Sequence, residues 1–260
     1  MQPEKLSRTP VEGAVAGRNA VIEVLRSSRE VESIYIQSGE HVGSINRIIA
    51  MAKERGIPIK ECDARKLESL CPGENHQGVV AICAVKEYVT VEEILALAGE
   101  EPPFLIIADH IEDPHNLGAI IRSAEGAGAH GLIIPKRGGA GLTASVSKAS
   151  AGAVEHLPVA RVPNIAALVK DLKKRGIWAY CAEADGQPWC GVDYSGGVAL
   201  VIGSEGSGVS RVVREACDVT VSLPMEGNIN SLNASVAAGI LMYEILRQRK
   251  GLKAVQPALK

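Results

Sequence analysis

The sequence predicts an α/β protein: a mostly parallel sheet with helices on both faces, preceded by a smaller α/β unit. Three observations carry this. From Phe104 onward, short apolar runs alternate with helix-length segments, the rhythm of parallel strands joined by helical crossovers. Two of those runs, Phe104–Ala108 and Val198–Ile202, show no polar alternation, as strands covered on both sides require. A charged stretch ending in Pro102 and Pro103 separates this rhythm from an earlier, shorter one.

Taken in order, residues 1–16 are polar, contain Pro3 and Pro10, and read as a flexible arm. Arg18–Arg26 has helical spacing, Ser33–Gln37 reads as a strand, and Ser44–Arg55 as an amphipathic helix stopped by Gly56. Ile57–Glu61 follows as a strand, Asp63 caps a short helix through Leu70, and Gln77–Val85 is an apolar strand. Residues 17–85 thus form the small unit, and 86–101 a linker with one helical piece, Val91–Ala98. In residues 102–260 the predicted strands are Phe104–Ala108, Gly131–Ile134, Ile177–Cys181, Val198–Ile202 and Val219–Leu223. The predicted helices are Gly118–Gly126, Ala144–Val154, Ile165–Arg175, Val209–Ala216 and Leu232–Arg249.

Composition narrows the function classes. A hydrophobic content of 46% with 22% charged residues describes a chain able to bury a core, not a disordered one. No apolar run approaches the ~20 residues that span a bilayer, and no apolar signal core opens the chain, so a cytoplasmic protein is expected. A net charge of −2 and 3% aromatic residues argue against RNA capture by bulk charge or base stacking. Six cysteines without a C-x-x-C pair read as reduced thiols, and the six histidines lack metal-site spacing, so no metal is expected.

Three stretches carry chemistry. In D-H-I-E-D-P-H-N-L-G-A-I-I-R, starting at Asp109, Asn116 reads as a helix N-cap. Arg122 follows on a helix of small and apolar residues, where a buried guanidinium would want a phosphate or carboxylate. In G-S-E-G-S-G, Gly203 to Gly208, the glycines imply a tight turn and close backbone approach to something, with Glu205 between them. This is neither the dinucleotide fingerprint, which needs an acid about 20 positions downstream, nor a lysine-bearing phosphate loop. In S-L-N-A-S-V-A-A-G, from Ser231, that serine reads as the cap of the last helix, yet Asn228, Asn230 and Asn233 exceed what one cap uses.

Together these stretches resemble the SPOUT superfamily of RNA methyltransferases, in its ribose 2′-O-methyltransferase branch. The matching residues are N-x-G-x-x-x-R at Asn116, Gly118 and Arg122, G-S-E-G-x-G from Gly203, and L-P-M-x-G with S-L-N-x-S-V-A-A-G between Leu223 and Gly239. G-R-N-A-V from Gly17 and N-H-Q-G-V from Asn75 resemble the ribosomal-protein-like RNA-binding module of bacterial 23S rRNA guanosine enzymes. The departures are Ala234, where valine is more usual, and the asparagine-rich run from Asn228.

The resemblance implies a trefoil-knotted catalytic domain, a homodimer, and S-adenosylmethionine held by main chain at Gly203, Leu223 and Leu232. It makes Arg122, Asn116, Glu205, Ser231 and Asn233 the catalytic and acceptor-handling residues. It assigns RNA binding to the first unit, where Arg18, Asn19, His76 and Gln77 are the candidate contacts. Removing the proton of an ordinary guanidinium at pH 7 costs about 7.5–9 kcal/mol. Arg122 is therefore expected to stabilise developing negative charge and clamp a phosphate, with Glu205 the alternative base. The readings set against an rRNA enzyme are a tRNA or antibiotic-resistance methylase, a catalytically silent assembly factor, and a nicotinamide oxidoreductase.

Overall fold

Where apolar residues recur every three or four positions the chain coils, and where they run on unbroken it extends. The computed structural model describes residues 11, 13–39, 43–84, 86–229 and 231–253. The chain divides into two compact units: Met1–Glu87 with Leu142–His156, and Tyr88–Gly141 with Leu157–Lys260.

The first unit contains β1 (Ala14–Ala16), α1 (Arg18–Arg26), β2 (Val31–Gln37), α2 (Ser44–Glu54), β3 (Ile59–Cys62), α3 (Ala64–Leu70) and β4 (Val79–Cys83). Its sheet runs β1-β4-β2-β3. β4 is antiparallel to both β1 and β2, and β3 is parallel to β2. On one face Val21, Val24 and Leu25 of α1 and Ile45 and Ile48 of α2 pack with Ile34, Ile36 and Val79. On the other, Leu67 and Leu70 of α3 pack with Ala14, Ala16 and Val80. Asp63 caps α3 as expected, accepting the Lys66 N–H at 2.8 Å. Ala14–Ala16, which falls in the expected arm, is a strand; three residues are too few for a period to reveal. Residues 1–10 of that arm lie outside the described residues.

The second unit begins before the expected domain start. α4 (Val91–Ala98), in the stretch expected as a linker, buries Val91, Ile94 and Ala98. Then come β5 (Phe104–Asp109), α5 (Pro114–Gly126) and β6 (Gly131–Pro135). α6 (Ala144–Ala149) and a 3-10 turn at Ala153–Glu155 return to the first unit, where Lys148 pairs with Glu74 at 2.9 Å. The second unit resumes with β7 (Val159–Val162), α7 (Ile165–Lys174), β8 (Ile177–Pro188), β9 (Gly197–Gly203), α8 (Arg211–Ala216), β10 (Val219–Ser222) and α9 (Ala234–Arg249).

Its sheet runs β10-β8-β9-β5-β6-β7, and every pairing is parallel. β5 and β6 are buried at every position, as their unbroken apolar runs required. Leu105 and Ile107 point to the face covered by α4, α7 and α8. α5 and α9 pack on each other and cover the other face with Leu117, Ile120, Ile121, Leu241, Met242 and Ile245. Glu244, also on α9, is buried but pinned by Arg247 at 2.7 and 2.8 Å and by Gln248 at 2.8 Å. Among the described residues no helix is long and apolar enough to cross a membrane.

Candidate active site

The site forms where β9 and β10 end and where β8 parts from β9, the edge at which parallel sheets present loops to ligands. β9 runs out at Gly203 into the turn Ser204–Gly208, closed by paired backbone hydrogen bonds between Ser204 and Gly208 at 2.9 and 3.1 Å. Gly206 and Gly208 take φ of +88° and +66°, which disfavour a side chain. Gly203 was expected to admit a ligand to its backbone. The structure supplies a different reason for glycine there: a Cβ would lie 2.0 Å from the Gly208 carbonyl carbon. The missing side chain lets the turn close on itself.

Two carboxylates fasten the turn's exit. Glu183, on β8, accepts the Val209 N–H at 2.5 Å. Asp109, fully buried at the end of β5, accepts the Ser210 N–H at 2.8 Å, and its other oxygen contacts His110 Nδ1 at 2.6 Å. Neither is legible as a site residue in the sequence, because each serves a backbone N–H far along the chain; Asp109 opens the first chemical stretch and Glu183 lies in none.

The turn, the segment after β10 and the start of α9 enclose a cavity of about 650 Å3, ample for a nucleoside-sized ligand. Gly203, Glu205, Leu223, Ser231, Leu232 and Asn233 all line it, so six sequence-predicted residues from two separate loops meet in one place. Ile202, Val221, Ala237 and Leu241 add apolar wall, and Ser204 and Ser207 add hydroxyls.

At the rim, three side chains join. Asn116 Nδ2 donates to Glu205 Oε1 at 3.0 Å. Asn233 Nδ2 donates to Asn116 Oδ1 at 2.9 Å and also to Glu205 Oε1. Asn233 Oδ1 meanwhile accepts the Ser235 N–H at 2.9 Å, its hydroxyl at 2.6 Å and the Val236 N–H at 3.3 Å, capping α9. Two cap expectations are corrected here. The last helix is capped by Asn233, not Ser231, and starts at Ala234. α5 is capped by Asp113, with Pro114 in its first turn, so Asn116 lies inside the helix and its amide is free to serve Glu205.

Arg122 is not brought into this cluster. α5 buries Asn116, Leu117, Ile120, Ile121 and Ala124, which turns Arg122 outward to an exposed position. The expectation of a buried guanidinium is corrected on that ground. α5 meets α9 closely at two glycines, where the missing Cβ of Gly239 would be 3.6 Å from Ser123 Oγ and that of Gly126 3.2 Å from the Tyr243 hydroxyl. Exposed Leu232, Val236, Ile240 and Tyr243 then form an apolar stripe leading along α9.

In the first unit, the two motifs expected to bind RNA converge. The Arg18 backbone N–H donates to Gln77 Oε1 at 3.1 Å, and its Nε donates to the Gln77 carbonyl at 3.0 Å. His76 Nδ1 accepts the Gly78 N–H at 3.1 Å, while Asn19 and Gln77 are exposed. Gln77 and Gly78 both have positive φ, at 51° and 82°, which makes this turn a constrained feature of the surface.

The neighbouring Cys217 thiol holds the pKa of Cys181, one residue before the lining, below its ordinary value against the opposing effect of burial, and Cys217 is itself pushed up. Among the described residues no group of three His, Cys, Asp or Glu side chains is placed to hold a metal ion. A sulfonium nucleoside suits the cavity. Its apolar wall can cover a purine, and the ionisable lining residues, Glu183 and Glu205, are both acids that complement a cation.

Comparison with known proteins agrees. The SpoU rRNA methylase family matches residues 103–243, and an RNA 2′-O ribose methyltransferase substrate-binding family matches residues 14–89. YacO of Bacillus subtilis, assigned to the TrmH family of tRNA/rRNA methyltransferases, is 47% identical over 238 residues, covering 90% of this chain and 95% of its own. The SpoU methyltransferase AviRb of Streptomyces viridochromogenes, solved with S-adenosylmethionine, superposes with a TM-score of 0.76 at 26% identity, covering 91% of this chain and 90% of its own. A TrmH/SpoU tRNA-modifying enzyme of A. aeolicus, at 28% identity and a TM-score of 0.53, covers 62% of this chain and 82% of its own.

Proposed function

The chain belongs to the SpoU rRNA methylase family and is an RNA methyltransferase that uses S-adenosylmethionine, and we propose that its acceptor is a ribose 2′-hydroxyl, of a guanosine, in 23S ribosomal RNA. The observation that carries this reading is the Asn116–Glu205–Asn233 cluster at the rim of the cavity. It sets one oriented carboxylate beside a nucleoside-sized site, which is what transfer to an alcohol needs. The cofactor supplies a methyl group on a positively charged sulfur that leaves as a neutral thioether.

The residues of the chain do the rest. Gly203, Leu223 and Leu232 hold the cofactor between the turn and the start of α9. Glu205 Oε1 is held by two amide N–H groups, leaving Oε2 to take the proton released by the hydroxyl. Ser231 and Asn233 orient the ribose, and such positioning lowers the barrier to an in-line displacement by several kcal/mol. Arg122, exposed on α5, acts by charge on the RNA phosphate beside the acceptor. In the first unit, Arg18, Asn19, His76 and Gln77 select the RNA.

The active form in this reading is a homodimer. Exposed Val236, Ile240 and Tyr243 share one face of α9, with Leu232 just before its start, and this apolar face adjoins the helix that bears Arg122, as a subunit interface would. Support for a ribosomal over a transfer RNA comes from residues 14–89, which match the substrate-binding family, whereas the tRNA-modifying enzyme of A. aeolicus covers only 62% of this chain. The test is to map 2′-O-methyl groups in rRNA and tRNA from a deletion strain by primer extension. One missing methyl in 23S rRNA, restored by the intact gene and not by Glu205→Gln, is expected. A change confined to tRNA would overturn the assignment.

A further inference from the structure

β8 and β9 run parallel, with Cys181 beside Val201 as their last paired positions. Two residues further on each strand stand Glu183 and Gly203, at the mouth where the strands part. Glu183 lies against the last glycine of the turn. A Cβ on Gly208 would sit 2.5 Å from its Oε1 and 2.9 Å from its Oε2. Gly208 is therefore the vacancy that admits this carboxylate to the cavity wall.

One oxygen, Oε1, is engaged by the Val209 N–H. Among the described residues no side chain donates to Glu183, and the lining offers it no cation. A half-buried carboxylate in that position has acceptor capacity to spare and a reason to recruit neutral donors from a ligand. Two adjacent hydroxyls on a ring match a carboxylate's two oxygens. In open parallel sheets an acid at the end of the strand beside the glycine-rich loop commonly reads a ribose in this way. That acid follows its loop by about 20 positions. Here Glu183 precedes its loop in sequence, and the parallel pairing of β8 with β9 returns it to the same place in space.

We propose that Glu183 reads the ribose of the cofactor, accepting hydrogen bonds from its 2′- and 3′-hydroxyls, and so determines specificity for a ribonucleoside sulfur compound. The inference rests on the reading that the adenosyl group occupies this cavity. Glu183 makes no contact with the reacting methyl group in this assignment. Its work is recognition.

The test is a binding cycle by calorimetry on the full-length protein, using S-adenosylmethionine, S-adenosylhomocysteine and the 2′-deoxy and 3′-deoxy forms of the latter. For the wild type, removal of a hydroxyl should weaken S-adenosylhomocysteine by roughly 10- to 100-fold, the range for a hydrogen bond to a charged group. Glu183→Gln should weaken S-adenosylhomocysteine by a similar factor, and removing a hydroxyl should then cost less than about threefold more. Equal hydroxyl penalties in both proteins would reduce Glu183 to a brace for Val209 and overturn the proposal. Loss of affinity for S-adenosylmethionine alone would assign it to the sulfonium charge, and also overturn it. If the variant fails to fold, the wild type decides alone, since indifference to both hydroxyls refutes the proposal. Absence of any binding to either sulfur compound would instead remove the underlying placement of the cofactor.

Discussion

Asn233→Asp separates the two jobs of one side chain. Asn233 Oδ1 caps α9, and an aspartate caps as well as an asparagine, with a further gain of about 0.3–1 kcal/mol from the helix dipole. Asn233 Nδ2 donates to Asn116 and Glu205, and an aspartate cannot. Losing two hydrogen bonds costs about 1 kcal/mol each. Setting a second carboxylate against Glu205 adds about 1–2 kcal/mol, near the lower end of the Coulomb range because both groups are exposed. The net destabilisation is about 2–4 kcal/mol, or roughly 4–15 °C in Tm at about 2–4 °C per kcal/mol. Methyl transfer from tritiated S-adenosylmethionine to rRNA should fall far more, by roughly 100- to 1,000-fold, as when one oriented electrostatic partner is lost. Asn233→Ser, which keeps the cap without the charge, should be more stable than Asn233→Ala by about 1 kcal/mol while both remain poor catalysts. Activity within threefold of wild type in a folded Asn233→Asp protein would refute a catalytic role for the cluster.

Four further outcomes are expected. Gly203→Ala should abolish cofactor binding by forcing open the turn, because its Cβ would meet Gly208 backbone at 2.0 Å; Gly206→Ala, with no atom within 4 Å, should cost only about 1 kcal/mol in a thermal melt for its positive φ. Arg122→Lys should keep measurable transferase activity and Arg122→Ala much less, with cofactor affinity by calorimetry unchanged in both. Ile94→Ala should lower stability by about 2–5 kcal/mol in a urea melt, since this residue is fully buried. Arg247 holds the Glu244 carboxyl below its ordinary 4.5, so its contribution is present above that pH and lost as pH falls below it; Glu244→Gln should cost about 1–2 kcal/mol at pH 7 and flatten the acid limb of the stability profile.

Much of the architecture was legible because it rests on unbroken apolar runs. All five strands expected after Phe104 are present, and α1 and α4 have their expected bounds. β7 escaped because Val159–Val162 is four residues long, carries Arg161 and follows a proline. β8 continues to Pro188 through polar residues because Gly186 lets it run against β10, where a Cβ would lie 2.6 Å from Val221 backbone. The helix starts were misread at Asn116 and Ser231 because cap chemistry is shared by any nearby Asn, Asp or Ser. Asp113-Pro114 carried the better signal, a cap followed by a proline in the first turn. Six cavity residues were readable because each lies in a local motif. Glu183 and Asp109 were not, since the partners of each are loop N–H groups far along the chain.

The return of residues 142–156 to the first unit bears on how the protein is born. A nascent chain emerges at about 5–20 residues per second, and tandem domains ordinarily fold one after another. This chain cannot finish its first unit in that way. Lys148, the ion-pair partner of Glu74, and the buried Val146 and Val154 are made only after β5, α5 and β6. Those strands in turn wait for β9, the neighbour of β5, which ends at Gly203. The first unit therefore stays open until His156 is made, with α4, β5, α5 and β6 of the second already out, and the second stays open until α9 follows.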